Sequence, residues 1–202
     1  MKEGFKTLVL ATHNAHKAAE MKQILFEKFP KLNVLTLNDF PNASEPEETG
    51  TTMEENAHIK ALAGLESTGK VCLADDGGLE VDALGGEPGV YSKRFGGERT
   101  SFLKKIELLL EKLKEVPWEK RTARYRCVLG LAVPGHDVHF FEATCEGFIA
   151  FEPKGRNGFG FDPIFWIEEK SCMMAELTSE EKNRLSHRGK AMSMLFKFLE
   201  TL

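Results

Sequence analysis

The 202-residue sequence has only four cysteines, Cys72, Cys127, Cys145 and Cys172, set far apart. No Cys-x-x-Cys pair occurs and no histidine stands at zinc-ligand spacing, so neither a disulfide framework nor a structural zinc site is expected. The four read as small core residues in a reducing compartment. No window approaches ~20 consecutive apolar residues, which excludes a membrane-spanning helix and a membrane partner. The opening "MKEGFKTLVLATHN" meets polar residues too soon for a secretory signal, so a soluble, cytoplasmic protein is expected. There is also no basic arm or stripe: 27 Lys and Arg are interspersed with 31 Asp and Glu, for a net charge of -4. Such a chain has no electrostatic footprint for nucleic acid. Internal repeats, low-complexity tracts and inter-domain linkers are absent, so residues 1–202 are expected to form a single domain.

What is present is an ordinary globular composition, 42% hydrophobic and 29% charged, enough to bury a full core. Thr7 to Thr12, "TLVLAT", is a short apolar run bounded by polar residues, which predicts a buried strand. Asn14 then caps a helix marked by Ala18, Met21, Leu25 and Phe29. After the acidic loop "PNASEPEETG", Thr51 and Thr52 precede Glu54 and Glu55 at capping-box spacing, and a helix runs toward Gly69. The next strand, "VCLA", is expected to end at Asp75 and Asp76. Gly77 to Gly97, with six glycines beyond Gly77, reads as a long ordered loop. Phe102, Ile106, Leu109, Leu110 and Leu113 mark a third helix that Pro117 stops. "RYRCVLGLAV" and "VHFFEATCEGFIAF" flank the turn "PGHD" and predict a hairpin. One or two helices starting near Thr178 or Ser186 close the chain. Strand-helix alternation followed by a hairpin predicts an α/β protein with a mixed β-sheet flanked by helices.

Four stretches carry residues suited to chemistry. In "THNAHK", Thr12, His13, Asn14, Ala15, His16 and Lys17, a strand turns into a helix, where backbone N–H groups and the helix dipole favour an anion. The same hexapeptide also reads as an Asn N-cap followed by a solvated lysine. Glu47 and Glu48, with Asp75 and Asp76, offer oxygen ligands for Mg2+ and a carboxylate able to take a proton from water. Glu47 and Glu48 read equally as a solvated acidic loop. The Asp pair is harder to dismiss, because adjacent carboxylates at a buried strand end repel unless something compensates them, and Gly77 and Gly78 leave room for a ligand. In "GFGFDPIF", Phe159, Gly160, Phe161 and Asp162 suggest a ring platform for a flat base and a carboxylate for its edge, or else an aromatic core turn. Lys182, His187 and Arg188 supply donors for phosphate or carbonyl oxygens, although a His-Arg pair at a helix start is commonly structural.

In order along the chain, "ATHNAHK", "EETGTTMEENAHIKA", "LADDGGLEVDALGGEPGVYSKRF", "GFGFDPIF" and "SHRGKA" resemble the motifs of the inosine triphosphate pyrophosphatases, also called Ham1-like or non-canonical purine NTP pyrophosphatases. The resemblance implies an elongated mixed sheet, two lobes with a central nucleotide cleft, and a homodimer. It implies Mg2+-dependent cleavage of ITP, dITP and XTP to the monophosphate and pyrophosphate. By that likeness Thr12 to Lys17 bind triphosphate, Asp76 is the proton acceptor and a metal ligand, and Glu47 or Glu48 is another ligand. Lys60 lines the cleft, and Phe159 to Asp162, Lys182, His187 and Arg188 hold the base and nearby groups. Members commonly have Ser after the Asp pair; Gly77 here removes that hydroxyl and leaves only a backbone N–H.

Overall fold

A computed structural model describes residues 6–44 and 46–200. The main elements, in order, are β1 (Thr7–Leu10), α1 (Ala15–Lys28), β2 (Asn33–Thr36), α2 (Met53–Thr68), β3 (Cys72–Val81), α3 (Phe102–Lys112), β4 (Thr122–Ala132), β5 (His139–Ile149), β6 (Phe165–Ile167), β7 (Cys172–Met173), α4 (Ser179–Leu185) and α5 (His187–Leu199). The strands form one seven-stranded sheet in the order β2-β1-β3-β4-β5-β6-β7. It is mixed: β1 runs parallel to β2 and β3, while β6 is antiparallel to β5 and β7. β4 and β5 are adjacent and joined by the short stretch 133–138, which only an antiparallel return permits. None of the described helices is long and apolar enough to cross a membrane.

The helix ends follow their sequence signals. The Asn14 side chain caps α1 by accepting from the His16 and Lys17 amides. Thr52 and Glu55 form a reciprocal capping box at the start of α2, and Gly69 closes that helix at φ 64°. The closing helical segment is two helices, α4 capped by Thr178 and α5 beginning at His187, with extended Ser186 between them.

β3 runs longer than expected. It does not stop at Asp76 but continues through Gly77 and Gly78 to Val81. Sequence reasoning took the two glycines as the start of a loop, whereas here a glycine admits another backbone. A Cβ on Gly78 would overlap the Gly89 carbonyl oxygen and stand 2.6 Å from Ser92 Oγ. Ser92 Oγ accepts from Leu79 N at 2.9 Å and donates to Gly89 O at 2.7 Å, which ties the returning segment to the strand. The short strands β2, β6 and β7 also went unforeseen.

The chain forms two compact units, and β3, β4 and β5 each pass from one to the other. The first holds residues up to Asp76, Cys127–Ala143 and Arg188 onward. Here β1 and the start of β3 are buried on both faces, as parallel strands covered by helices are. Leu8, Leu10 and Leu73 pack on one face with Met21 and Leu25 of α1 and Met192 and Leu195 of α5. Val9, Ala11, Cys72 and Ala74 face the other way, toward Ala61 of α2. The second unit, Gly77–Arg126 and Thr144–His187, is built around Leu79, Val81, Ile106, Leu109, Phe161 and Phe165.

Candidate active site

The alternation along β3 decides what its two aspartates can do. Successive side chains point to opposite faces of a strand. Asp75 therefore follows Leu73 toward α1 and α5, and Asp76 follows Cys72 and Ala74 toward α2. A pair that would repel on one face is divided between two helical layers.

Asp75 is fully buried and surrounded by donors. Arg188 Nε reaches its Oδ2 at 2.7 Å and Arg188 Nη2 its Oδ1 at 3.3 Å. Lys17 Nζ stands 2.5 Å from Oδ1, and the Cys127 thiol donates to Oδ2 at 3.3 Å. Arg188 also pairs with Glu20 through Nη1 at 2.6 Å. Burial alone would raise the Asp75 pKa, but Arg188 and Lys17 overcome it and hold the carboxyl well below its ordinary range.

Asp76 lies in different surroundings. Lys60, two helical turns into α2, donates to Asp76 Oδ1 at 2.5 Å, to Glu48 Oε1 at 3.3 Å and to the Asp75 carbonyl at 2.9 Å. Its three N–H groups are thus matched to three oxygens. Burial opposes the charge on Lys60, yet Asp76 and Glu48 outweigh it and raise the ammonium pKa. The Asp76 carboxyl is also pushed up, chiefly by burial, with Glu48 adding to it against the pull of Lys60 and Lys17. The two neighbouring carboxyls are thus driven in opposite directions, Asp75 down by its cationic partners and Asp76 up by burial.

A divalent cation fits beside Asp76 on the chemistry of the donors. Glu48 and Asp76 converge on one positive group, the Lys60 ammonium, which marks where positive charge is favoured. Glu47 is exposed, and of the acidic pair it is Glu48 that reaches Lys60. Among the described residues, no three His, Cys, Asp or Glu gather to enclose a metal. Two carboxylates are too few to enclose a metal by themselves, which suits a hard cation that keeps waters and takes phosphate oxygens.

In the Thr12–Lys17 loop the Asn14 N-cap is present, but the solvated lysine expected to follow it is not. Thr12 Oγ1 accepts from the Asn14 amide at 3.0 Å, and Asn14 Oδ1 accepts from His16 and Lys17 at 3.0 and 3.2 Å. His13 donates to Asn38 at 2.6 Å, and Ala15 and His16 are exposed on the first turn of α1. Lys17 is not a solvated lysine: it reaches both the carboxylate and, at 3.3 Å, the carbonyl of Asp75. Gly77 is a half-buried strand residue.

In the second unit, Asp162 Oδ2 accepts from the Phe159 amide at 2.8 Å and from Lys182 Nζ at 2.6 Å. That ammonium also lies 4.7 Å from the Phe159 ring centroid. Phe159 and Gly160 are half-buried; Phe161 is core, with Phe95 and Phe102 edge-on to it. Phe159 is therefore the ring of this motif left to serve as a platform. Gly158 at φ 72° brings the loop against the pair: a Cβ there would meet Asp162 and stand 3.1 Å from Lys182 Nζ. His187 stacks on Tyr125 at 4.8 Å and 11°.

Sequence reasoning did not assign Asp75 to Arg188 and Lys17, nor find Glu20, Cys127 or Tyr125. Only Glu20 left a trace, standing one turn from Lys17 on α1. Its partner Arg188 is 168 residues away, and no spacing rule reaches that far.

The family profile described as "Ham1 family" matches residues 8–198. A dITP/XTP pyrophosphatase from Halalkalibacterium halodurans is 47% identical over 195 residues, covering 96% of this chain and all of that protein. One from Bacillus subtilis is also 47% identical, covering 96% of this chain and 98% of the relative. The solved structure of a HAM1 protein from Coxiella burnetii superposes with a TM-score of 0.87 at 38% identity, over 97% of this chain and 99% of that one.

Proposed function

Because this chain belongs to the Ham1 family, we propose that it hydrolyses non-canonical purine nucleoside triphosphates, ITP, dITP and XTP, to the nucleoside monophosphate and pyrophosphate. The observation that carries the chemistry is the division of Asp75 from Asp76, with Glu48 and Asp76 gathered on Lys60. The curated relatives carry dITP/XTP pyrophosphatase as their name, which agrees with that chemistry.

Glu48 and Asp76 would hold Mg2+ in this proposal, and the ion would supply positive charge against the triphosphate oxygens. Asp76 takes the proton of the attacking water in this reading. Lys60 fixes Asp76 and Glu48 in place and limits their mutual repulsion. Asp75 anchors Lys17 through two of its three N–H groups and leaves the third for a phosphate oxygen. The Thr12 loop supplies the turn that sets Lys17 on Asp75. No covalent intermediate is needed.

Base choice follows from hydrogen-bond polarity in the second unit. Hypoxanthine and xanthine present an N1–H donor and a 6-keto acceptor; adenine reverses both. Asp162 as an acceptor and Lys182 as a donor, held to each other at 2.6 Å, match the first pattern and not the second. Phe159 offers a face for the ring and His187 belongs to the same set, whereas Arg188, buried against Asp75 and Glu20, acts by holding Asp75. The homodimer and cytoplasmic location implied by the resemblance belong to this proposal, to be checked by light scattering and cell fractionation.

The test is pyrophosphate and orthophosphate release from ITP, XTP, dITP, ATP, GTP, CTP and UTP, with and without Mg2+. Metal-dependent pyrophosphate release chiefly from ITP, XTP and dITP supports the reading. Turnover confined to pyrimidines, or binding without turnover, overturns it.

A further inference from the structure

The segment carrying Glu48 is held along α2 at successive points. Glu55 Oε2 accepts from the amides of Thr51 and Thr52 at 2.7 and 3.2 Å and from Thr51 Oγ1 at 3.0 Å. Asn56 Oδ1 accepts from the Gly50 amide at 2.9 Å. Lys60 meets Glu48. Chain positions 52, 50 and 48 thus descend the helix against 55, 56 and 60, so the segment folds back along the first turns of α2. Asn56 is fully buried and stands one turn before Lys60 on the same helical face. At Gly50 the approach is so close that a Cβ would lie 2.6 Å from Asn56 Oδ1 and 2.7 Å from Glu55 Cβ.

We propose that Asn56 is a positioning residue. By holding the Gly50 amide, its Oδ1 sets where the Glu48 carboxylate stands and so how tightly the site holds a divalent cation. The inference rests on the reading of Glu48 as a metal ligand. Asn56 is neither capped nor charged, and its Nδ2 has no hydrogen-bond partner among the described residues. Its one side-chain bond, to Gly50, is therefore what a substitution removes. Partners that orient a ligating carboxylate typically change metal affinity by ~10-fold or more when lost, without touching the metal.

Mn2+ is titrated into the purified full chain without nucleotide, and the free ion is followed by electron paramagnetic resonance. Turnover at saturating Mn2+ is measured alongside. Asn56→Leu keeps the side-chain size and removes the acceptor; Gly50→Ala keeps Asn56 and displaces the segment; Glu48→Gln is the reference. Weaker Mn2+ binding by ~10-fold in Asn56→Leu and Gly50→Ala, with kcat at saturating Mn2+ nearly unchanged, supports the assignment. A purely structural role would lower the melting temperature and leave Mn2+ affinity as in the wild type, which overturns it. If Asn56→Leu does not fold, Gly50→Ala decides on the same criterion. Unchanged Mn2+ binding in Glu48→Gln removes Glu48 as a ligand and the inference with it, whereas a loss confined to Glu48→Gln rejects Asn56 alone.

Discussion

Asp75 and Asp76 share a peptide bond and have opposite environments, so the same substitution has different consequences at each. Asp76→Asn removes the proton acceptor, and kcat for ITP is expected to fall by ~100-fold or more. Asp75→Asn leaves Arg188 buried with Glu20 as its remaining acidic partner, and removal of one partner from a buried pair costs about 3–5 kcal/mol. Urea unfolding of the variant measures that loss. The pH dependence has a definite sign. The folded Asp75 carboxyl titrates well below its ordinary 3.8, so its stabilisation is complete above that value and is lost as pH falls below it toward the folded value. Asp75→Asn should therefore flatten the acid limb of the stability curve below pH 3.8, and an unchanged limb would show that the acid sensitivity lies elsewhere.

At the scale of elements, α2 does two jobs: it packs Ala57 and Ala61 into the first unit and presents Lys60 to Glu48 and Asp76. Its N-terminal box is the lever on both. Thr52→Ala removes the acceptor for the Glu55 amide and should cost about 1 kcal/mol, read by chemical denaturation. β3 is the other element whose detail matters. It continues past the aspartates because Gly78 allows the Gly89 backbone against it. Gly78→Ala is expected to cost about 1–3 kcal/mol by overpacking. A neutral result there would mean that the returning segment gives way easily.

For the whole molecule, thiol chemistry reports how tightly the interior of each unit is closed. Cys72, Cys127 and Cys145 are buried, and Cys172 is half-exposed. Burial raises the pKa values of Cys72, Cys127 and Cys172, with the adjacent Asp75 charge adding to it at Cys127, so access and not acidity separates Cys172 from the others. Alkylation of the folded protein at mildly alkaline pH should therefore mark Cys172 first, with the others reacting only on unfolding; mass spectrometry of the digest checks this. Early labelling of Cys127 would mean that the Asp75 cluster opens in the native state.

Much of this architecture was readable from local rules. Asn14, Thr52, Gly69 and Thr178 bound their helices because caps act within four residues, and "TLVLAT" became a buried strand because its apolar run has strand length. The motifs that name the family are contiguous, so they too were visible in one dimension. By itself, then, the sequence determined the α/β class, the helix boundaries, the family and the set of candidate residues. The tertiary structure decided their pairings. It placed Lys17 and Arg188 on Asp75, put Lys60 and Glu48 with Asp76, buried Phe161 while leaving Phe159 half-exposed, and carried β3 through its glycines. The physical reason is that ionic partners and close backbone approaches are set by which elements pack on which face of the sheet, and those contacts join residues too far apart in the chain for any local pattern to record.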